Sequence, residues 1–322
     1  VQALQLFREM ADWCVEPDAV TYNAAVSACG NGGQWLLALQ LFGEMVDVSV
    51  GRNTITYNAA VGLLAEGLAW EHALQLLLEM EGASLQKDEI TCCAAVSTCG
   101  CSGQWQLALQ LFHQMADSRV QRNTITYNAV VSACDKGGAW ENALQVLLEM
   151  GGGSVQKDTV TYNAAVSACS FSAKWLWAMQ LFRQMADSRV DRDTITYSAA
   201  VSACVKGGEW LLALELFCMM AECSVQRDTI AYTAAVSACE NGGDWLQALG
   251  LFQEMADVRL PRNTFTYNAA VSACAVGGSW ELALHLVREM ADIQVLRDAV
   301  TYSLTVGICL RRGPSGAQPN QS

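Results

Sequence analysis

The hydrophobic and polar positions of this chain repeat with a period of 35 residues. In the stretch AVTYNAAVSACG, which begins at Ala19, small and apolar residues recur at helical spacing, and the pair Gly32–Gly33 follows it. In QWLLALQLFGEMVD, which begins at Gln34, apolar residues recur about four positions apart. Each period therefore predicts two helices, and a short connector such as VSVGRN leads to the next pair.

Aromatic residues mark the same period without any insertion. All eight tyrosines share one column, and eight of the ten tryptophans share another. The chain divides into eight complete blocks at 19–53, 54–88, 89–123, 124–158, 159–193, 194–228, 229–263 and 264–298. Residues 1–18 form half a block (its second helix), 299–310 form a partial block, and the polar segment 311–322 is predicted to be disordered.

Two helices of this length cannot bury their apolar faces alone, so each block must stack on its neighbours. We therefore predict an all-α fold, a right-handed α-solenoid superhelix of stacked helix-turn-helix repeats. The 52% apolar content of the 322 residues is sufficient for such a stack. No apolar run reaches the roughly 18 residues that a membrane-spanning helix needs, and no membrane partner is expected.

The formal charge of −13 argues, taken alone, against a nucleic-acid partner. The acids, however, concentrate on the second helices, where we expect an exposed outer face carrying Glu44, Glu79, Glu149, Glu254, Glu289, Asp47, Asp117, Asp187 and Asp257. One cation per block precedes the last residue of the block: Arg52, Lys87, Arg122, Lys157, Arg192, Arg227, Arg262 and Arg297. This cation either balances the C-terminus of the preceding helix or contacts phosphate.

The cysteines and histidines indicate neither a metal site nor a catalytic site. Eight of the fourteen cysteines occupy one column in separate blocks, so we expect small, free, buried residues: Cys29, Cys99, Cys134, Cys169, Cys204, Cys239, Cys274 and Cys309. The group Cys92, Cys93, Cys99 and Cys101 lacks a C-x-x-C pair or a histidine. The three histidines, His72, His113 and His285, lie in separate blocks, so neither an enzyme nor a cofactor is expected.

The 35-residue pattern V-T-Y-N-A-x-[IV]-S-A-C, then G-x-W-x-x-A-L-x-L-F-x-E-M, resembles the pentatricopeptide repeat of the P type over residues 1 to about 310. The resemblance implies sequence-specific binding of single-stranded RNA, with one base for each repeat. It also implies a role in organellar RNA processing, stability, editing or translation, in the chloroplast more than in the mitochondrion.

The resemblance assigns base reading to the residue after the tyrosine and to the residue that closes the block. These pairs are Asn23 with Asn53, Asn58 with Asp88, Cys93 with Asn123, Asn128 with Asp158, Asn163 with Asp193, Ser198 with Asp228, Thr233 with Asn263, and Asn268 with Asp298. An apolar residue that wedges between bases is implied at Val20, Ile55, Ile90, Ile125, Val160, Ile195, Ile230 and Phe265. A phosphate-contacting lysine is implied at Lys136 and Lys206, while the same column holds Asn31, Glu66, Cys101, Phe171, Asn241 and Val276.

The residues themselves support part of this assignment. The column after the tyrosine, here named the reader column, changes to Cys93, Ser198, Thr233 and Ser303 while its neighbours barely vary. Amides, hydroxyls and carboxylates differ in what they donate and accept, as discrimination of base edges requires. The closing residues, all Asn or Asp, have a second explanation, because both types are favoured N-caps of the following helix.

The family's code, applied pair by pair, predicts the U-rich strand 5′-(C/U)-U-N-U-U-G-A-U-3′, and the base of the third repeat stays open. The alternative is a helical-repeat scaffold that binds a protein or peptide partner, for which the acidic outer face is the candidate surface.

Overall fold

The computed structural model describes residues 5–7, 9–10, 15–30, 32–65, 67, 69–152 and 155–311. These residues contain no strand. The first helix of each block is α1 (Ala19–Gly30), α3 (Thr54–Leu64), α5 (Glu89–Cys101), α7 (Thr124–Lys136), α9 (Thr159–Phe171), α11 (Thr194–Lys206), α13 (Thr229–Gly242), α15 (Thr264–Val276) and α17 (Ala299–Arg311). The second helix is α2 (Trp35–Asp47), α4 (Trp70–Gly82), α6 (Trp105–Asp117), α8 (Trp140–Gly152), α10 (Trp175–Asp187), α12 (Trp210–Glu222), α14 (Trp245–Asp257) and α16 (Trp280–Asp292).

The chain forms two compact units, Val1–Ala168 and Cys169–Ser322. Within each unit a first helix packs on the second helix of its own block and on the first helix of the next block, as α3 does on α4 and α5 and as α13 does on α14 and α15. This arrangement confirms the predicted all-α solenoid of stacked helical repeats. The helix α17 ends at Arg311, one residue beyond the predicted partial block, and the predicted disorder of 312–322 lies outside the described residues.

The small residues of the first helices form the centre of the stack. The cysteine column is buried as predicted from Cys29 to Cys274, and burial raises the pKa of Cys134 to about 12. These thiols are therefore protonated, packing as small apolar groups. The prediction is wrong for Cys309, which is exposed because no described helix covers the far side of α17.

Among the described residues, aromatic contacts join five of the second helices to the following first helix. The rings of Phe42 and Tyr57 meet edge to face with centroids 5.2 Å apart, and those of Phe252 and Tyr267 do so at 4.8 Å. Such pairs contribute about 0.5–1.5 kcal/mol beyond the area that they bury. The tyrosine and phenylalanine columns therefore stabilise the stacking of successive blocks.

Where a glycine pair follows a first helix, as at Gly277–Gly278, the two glycines have separate functions, which the sequence showed only as one helix-ending signal. The second glycine adopts a left-handed conformation, with φ of 77° at Gly278. The first glycine makes room for the tryptophan of the preceding block, because a Cβ atom on Gly277 would lie 2.0 Å from Trp245 Cδ1. The same close approach occurs between Gly207 and Trp175.

Replacing Gly277 by alanine is expected to destabilise the protein by about 1–3 kcal/mol, because the added methyl group overpacks the contact with Trp245. The matched control is Gly250→Ala in α14, where a Cβ atom would meet no neighbour and the gain in helix propensity is up to about 1 kcal/mol. Thermal denaturation measures both shifts. Equal shifts of the same sign would contradict the packing role of Gly277.

Candidate nucleic-acid interface

A column of large apolar residues is exposed to solvent at the second position of the first helices. Its members are the predicted wedge residues, and their exposed fractions run from 56% at Val160 to 73% at Val20 and Phe265. The others are Ile55, Ile90, Ile125, Ile195 and Ile230. Exposing an apolar side chain to water in every block is unfavourable, and exposed apolar surface of this kind marks a contact region.

The reader column lies three residues further along each helix, on the same face. Its side chains are recessed compared with the apolar column: Asn58 and Asn128 are half-buried, whereas Asn163, Ser198 and Asn268 are 3–8% exposed. In the blocks whose reader residue is polar, that side chain is therefore more buried than the exposed apolar side chain beside it. A flat ligand inserted between apolar neighbours would present its edge to this column.

Four of the eight predicted pairs are in direct contact. The amide Nδ2 of Asn58 donates to the Asp88 carboxylate at 2.9 Å, and that of Asn268 donates to Asp298 at 3.0 Å. Asn128 Nδ2 lies 3.1 Å from both carboxylate oxygens of Asp158. The fourth pair uses a hydroxyl: Ser198 Oγ donates to Asp228 at 2.8 Å.

Three other pairs behave differently. Thr233 Oγ1 donates to the Thr229 carbonyl at 2.7 Å and lies 2.8 Å from the Thr266 hydroxyl. Asn23 Oδ1 is buried and has no hydrogen-bond partner. The amide of Asn123 donates to Glu89, not to the Cys93 thiol. The fifth pair, Asn163 with Asp193, is divided between the two units.

Every closing residue caps the helix that follows it, so the capping explanation of this column is confirmed. Each side-chain oxygen accepts the backbone N–H three residues later at 2.8–3.0 Å, at Asn53, Asp88, Asn123, Asp158, Asp193, Asp228, Asn263 and Asp298. Hydrogen bonds from the Thr301 backbone, the Asn268 amide and the Thr301 hydroxyl lower the pKa of Asp298. This carboxylate is therefore ionised at neutral pH.

A threonine of the next block fixes the amide of the reader residue. Thr301 Oγ1 lies 2.7 Å from Asn268 Oδ1 and 2.9 Å from Asp298 Oδ1, and Thr161 contacts Asn128 and Asp158 in the same way. Because Oδ1 faces the hydroxyl and Nδ2 faces the carboxylate, the amide has one orientation. Its second N–H is left for another acceptor. No sequence motif distinguishes this threonine from an ordinary capping residue.

A cavity of about 350 Å³ opens between consecutive first helices of the second unit. Ile230 and Phe265 of the apolar column line it, together with Thr229 and the predicted reader pair Thr233 and Asn263. Lys206, one of the two predicted phosphate residues, lines it from α11. The volume falls within the range of roughly 300–1,000 Å³ that is typical of small-molecule sites.

The cation that precedes each closing residue faces the second helices, away from this cavity. The Arg52 guanidinium lies 3.9 Å above the Phe42 ring, donates to the Phe42 carbonyl at 2.6 Å and approaches Glu79 at 3.5 Å. Ion pairs with the same spacing are Arg122–Glu149, Arg227–Glu254 and Arg262–Glu289. This geometry favours the structural role of the cation over a phosphate role.

The prediction that the glutamate column lies on an exposed outer face is wrong. Glu44, Glu79, Glu149, Glu254 and Glu289 are all half-buried, and the last four pair with the arginines just described. The aspartate column, Asp47, Asp117, Asp187 and Asp257, is exposed as predicted. The ion pairs cross between blocks at a separation of 27 residues, which the repetition of identical columns does not reveal.

Charged groups near the end of the first helices are few and of both signs. Lys136 and Lys206 are exposed, whereas Asn31 and Glu66 of the same column lie outside the described residues. Burial raises the pKa of Asp135, which is hydrogen-bonded to Ser167, and of Glu240, which accepts from the Ser272 hydroxyl at 2.5 Å. These two half-buried carboxylates were not singled out in the sequence, although their column is otherwise uncharged.

Other kinds of site find no support in the part of the chain that the structure describes. It contains no group of three histidine, cysteine or acidic residues that could hold a metal ion, and His72, His113 and His285 are exposed. None of its helices has the length and apolarity that crossing a bilayer requires.

The seventh block offers a test of the threonine contact, because it holds Ala231 where the other described blocks hold threonine. Ala231 is fully buried, and Asp228 accepts there from the Ser198 hydroxyl and from the Ala231 backbone N–H. Ala231→Thr is expected to stabilise the protein by about 0.5–1.5 kcal/mol, because it adds a hydroxyl beside the carboxylate. The isosteric control Ala231→Val lacks that hydroxyl and should give no gain. Equal thermal midpoints for the two variants would exclude the contact as a source of stability.

Comparisons with known proteins agree with the repeat geometry. A family model described as a pentatricopeptide repeat domain matches residues 5–66, 75–136 and 215–276, and one described as a PPR repeat matches 125–153, 160–190, 195–225 and 265–295. No curated protein sequence matches the chain.

Among solved structures, the pentatricopeptide repeat protein PPR10 in complex with an 18-nt psaJ RNA element is similar with a TM-score of 0.55 and 17% identity, over 95% of this chain and 55% of that one. PPR10 from maize gives 0.53 and 17% identity over 95% and 53%. The chain spans about half the length of these proteins, and the likeness shows the fold. With family models matching more than half of its residues, the chain belongs to the pentatricopeptide repeat family.

Proposed function

We propose that this chain binds single-stranded RNA sequence-specifically, with one base per repeat. The observation that carries the proposal is the cavity in which Ile230 and Phe265 flank the polar pair Thr233 and Asn263. A base enclosed there has apolar groups against both faces and hydrogen-bonding groups at its edge. The structural neighbour PPR10 was solved with an 18-nt RNA, which supports RNA as the ligand.

The geometry of the Asn–Asp pairs supports uracil as their base. Asp158 holds one N–H of the Asn128 amide, and Thr161 holds its carbonyl oxygen, so the second N–H is the group left to donate. Uracil carries carbonyl oxygens on both sides of its pairing edge, and a donor suits them. Applied along the chain, the code proposes the strand 5′-(C/U)-U-N-U-U-G-A-U-3′, and the biological setting proposed is organellar RNA processing, stability, editing or translation.

Binding of this kind depends little on charge. Four of the arginines that precede the closing residues, Arg52, Arg122, Arg227 and Arg262, pair with glutamates on the second helices. Among the described residues up to Val276, Lys136 and Lys206 are the cations of the predicted phosphate column. Stacking and edge contacts therefore supply most of the affinity that we propose.

A protein or peptide partner is the second candidate. Large apolar side chains also stand exposed on the second helices, including Leu78, Leu148, Leu211 and Leu246. They lie on different helices from the apolar column, so a partner there would leave RNA binding unaffected. Variants of the reader column separate the two functions.

The double variant Asn128→Thr with Asp158→Asn tests the assignment of one base to each repeat. It converts the fourth pair into the combination that the seventh repeat holds, Thr233 with Asn263. The preference at the fourth base is expected to move from uracil to adenine by about tenfold, with the fifth base unchanged.

Fluorescence anisotropy with RNAs that differ only at the fourth or only at the fifth base measures this change. DNA of the same sequence is the control that shows whether binding requires ribose. If a folded protein binds neither RNA, the proposed function is wrong. If binding occurs but the fourth-base preference does not move, base reading by this pair is wrong.

The salt dependence tests the view of the groove as nearly uncharged. If Lys136 and Lys206 each neutralise about one phosphate, the slope of log K against log salt is expected near −1.4, because each contact to a single strand contributes about −0.7. Lys136→Gln with Lys206→Gln should bring the slope close to zero. A wild-type slope steeper than about −4 would show that other cations contact the backbone.

A further inference from the structure

The third repeat lacks the polar pair that the other repeats present. Cys93 occupies its reader column, and a thiol is a weak hydrogen-bonding group. Its closing residue, Asn123, uses Oδ1 to accept the Thr126 backbone N–H at 2.9 Å. The Asn123 amide donates to the Glu89 carboxylate. The polar pair that actually forms in this repeat is therefore Glu89 with Asn123.

Glu89 occupies a position that lines the base cavity elsewhere in the chain. It is the first residue of its block, next to the exposed Ile90 of the apolar column. In the seventh repeat the same position is Thr229, which lines the cavity beside Ile230, Thr233 and Asn263. The column holds no other carboxylate, its members being Ala19, Thr54, Thr124, Thr159, Thr194, Thr229, Thr264 and Ala299.

We infer that Glu89, held by Asn123, is the specificity-determining residue of the third repeat and that it selects against uracil. An ionised carboxylate only accepts hydrogen bonds. Adenine, cytosine and guanine each carry an exocyclic amine that donates to it. Uracil has no such amine, and its single ring N–H lies between two carbonyl oxygens that repel the carboxylate. This inference depends on the proposed function, since it names the base preference of one of the proposed sites.

The consequence concerns the register of the protein on its RNA. The second, fourth, fifth and eighth repeats hold Asn–Asp pairs, for which uracil is proposed. On a uniform run of uracils these repeats would accept several registers. Where one other base interrupts such a run, a repeat that rejects uracil between the second and the fourth selects the register that places this base against Glu89, because shifted alignments would place uracil there.

The alternative role of Glu89 is favourable interaction with the positive end of α5, which begins at this residue. That role, and simple repulsion of the RNA backbone, both predict that a substitution changes the affinity for all RNAs by one factor. Selection against uracil predicts a change in the ratio among RNAs. The ratio is therefore the quantity to measure.

The experiment uses the full chain and four RNAs that differ only at the third base. The wild type is expected to bind the uracil RNA about tenfold more weakly than the other three. Glu89→Thr, which installs the residue found in the fourth to seventh repeats, should raise all four affinities and reduce this difference to less than about twofold. Glu89→Gln should also remove it, because an amide donates to the uracil carbonyl.

A second pair of RNAs, with uracil or cytosine at the fifth base, is the internal control and should be unaffected by either variant. Circular dichroism and thermal midpoints verify that the variants fold. The inference is overturned if the wild type binds all four RNAs alike, or if Glu89→Thr changes all four affinities by the same factor. If the wild type shows no preference at the fifth base either, the proposed function is wrong.

Discussion

The side chain that closes each block is the group on which both the stack and the candidate site depend. The Asp158 carboxylate caps the following helix by accepting the Thr161 N–H. It also accepts from the Asn128 amide, which lies in the first helix of the same block. One residue thus starts a helix, joins two blocks and orients the polar group beside the cavity. Because only Asn and Asp combine strong capping with a second hydrogen-bonding atom, the column holds only these two residue types. Helix capping limits the residue types at this position, and most of the variation between blocks falls on the reader column.

The formal charge of −13 is unevenly placed, because few charged residues lie on the first helices. The arginines pair with glutamates of the next block and stack on phenylalanines, as Arg227 does with Glu254 and Phe217. Four arginines and four glutamates are paired in this way, which joins successive blocks. Few charges of either sign remain beside the apolar column. For the proposed RNA binding, a weakly charged surface gives little non-specific affinity, so discrimination would depend on stacking and on base edges.

The period of the sequence was sufficient to predict the helices and the fold class, because these follow from local pattern and from the need to bury one helix face. The apolar column was predicted from the family resemblance. Contacts between blocks were harder to predict. The close approach of Trp245 to Gly277 and the pair Arg262–Glu289 join columns that repeat identically in most blocks. When every copy carries the same residues, the sequence does not show which copy contacts which. The exposure assigned to the glutamates was wrong for this reason.

Departures from the repeated pattern are therefore more informative than the pattern itself. Ala231 removes a hydroxyl from beside Asp228, which then accepts from the Ser198 hydroxyl and from the Ala231 backbone N–H. Cys93 and Glu89 depart together in one block, and the contact from Asn123 shows why they belong together: the polar group lost from the reader column is replaced four residues earlier, one helical turn away on the same face. A code restricted to two positions per repeat assigns no base to this block, whereas the inference from Glu89 adds a third position.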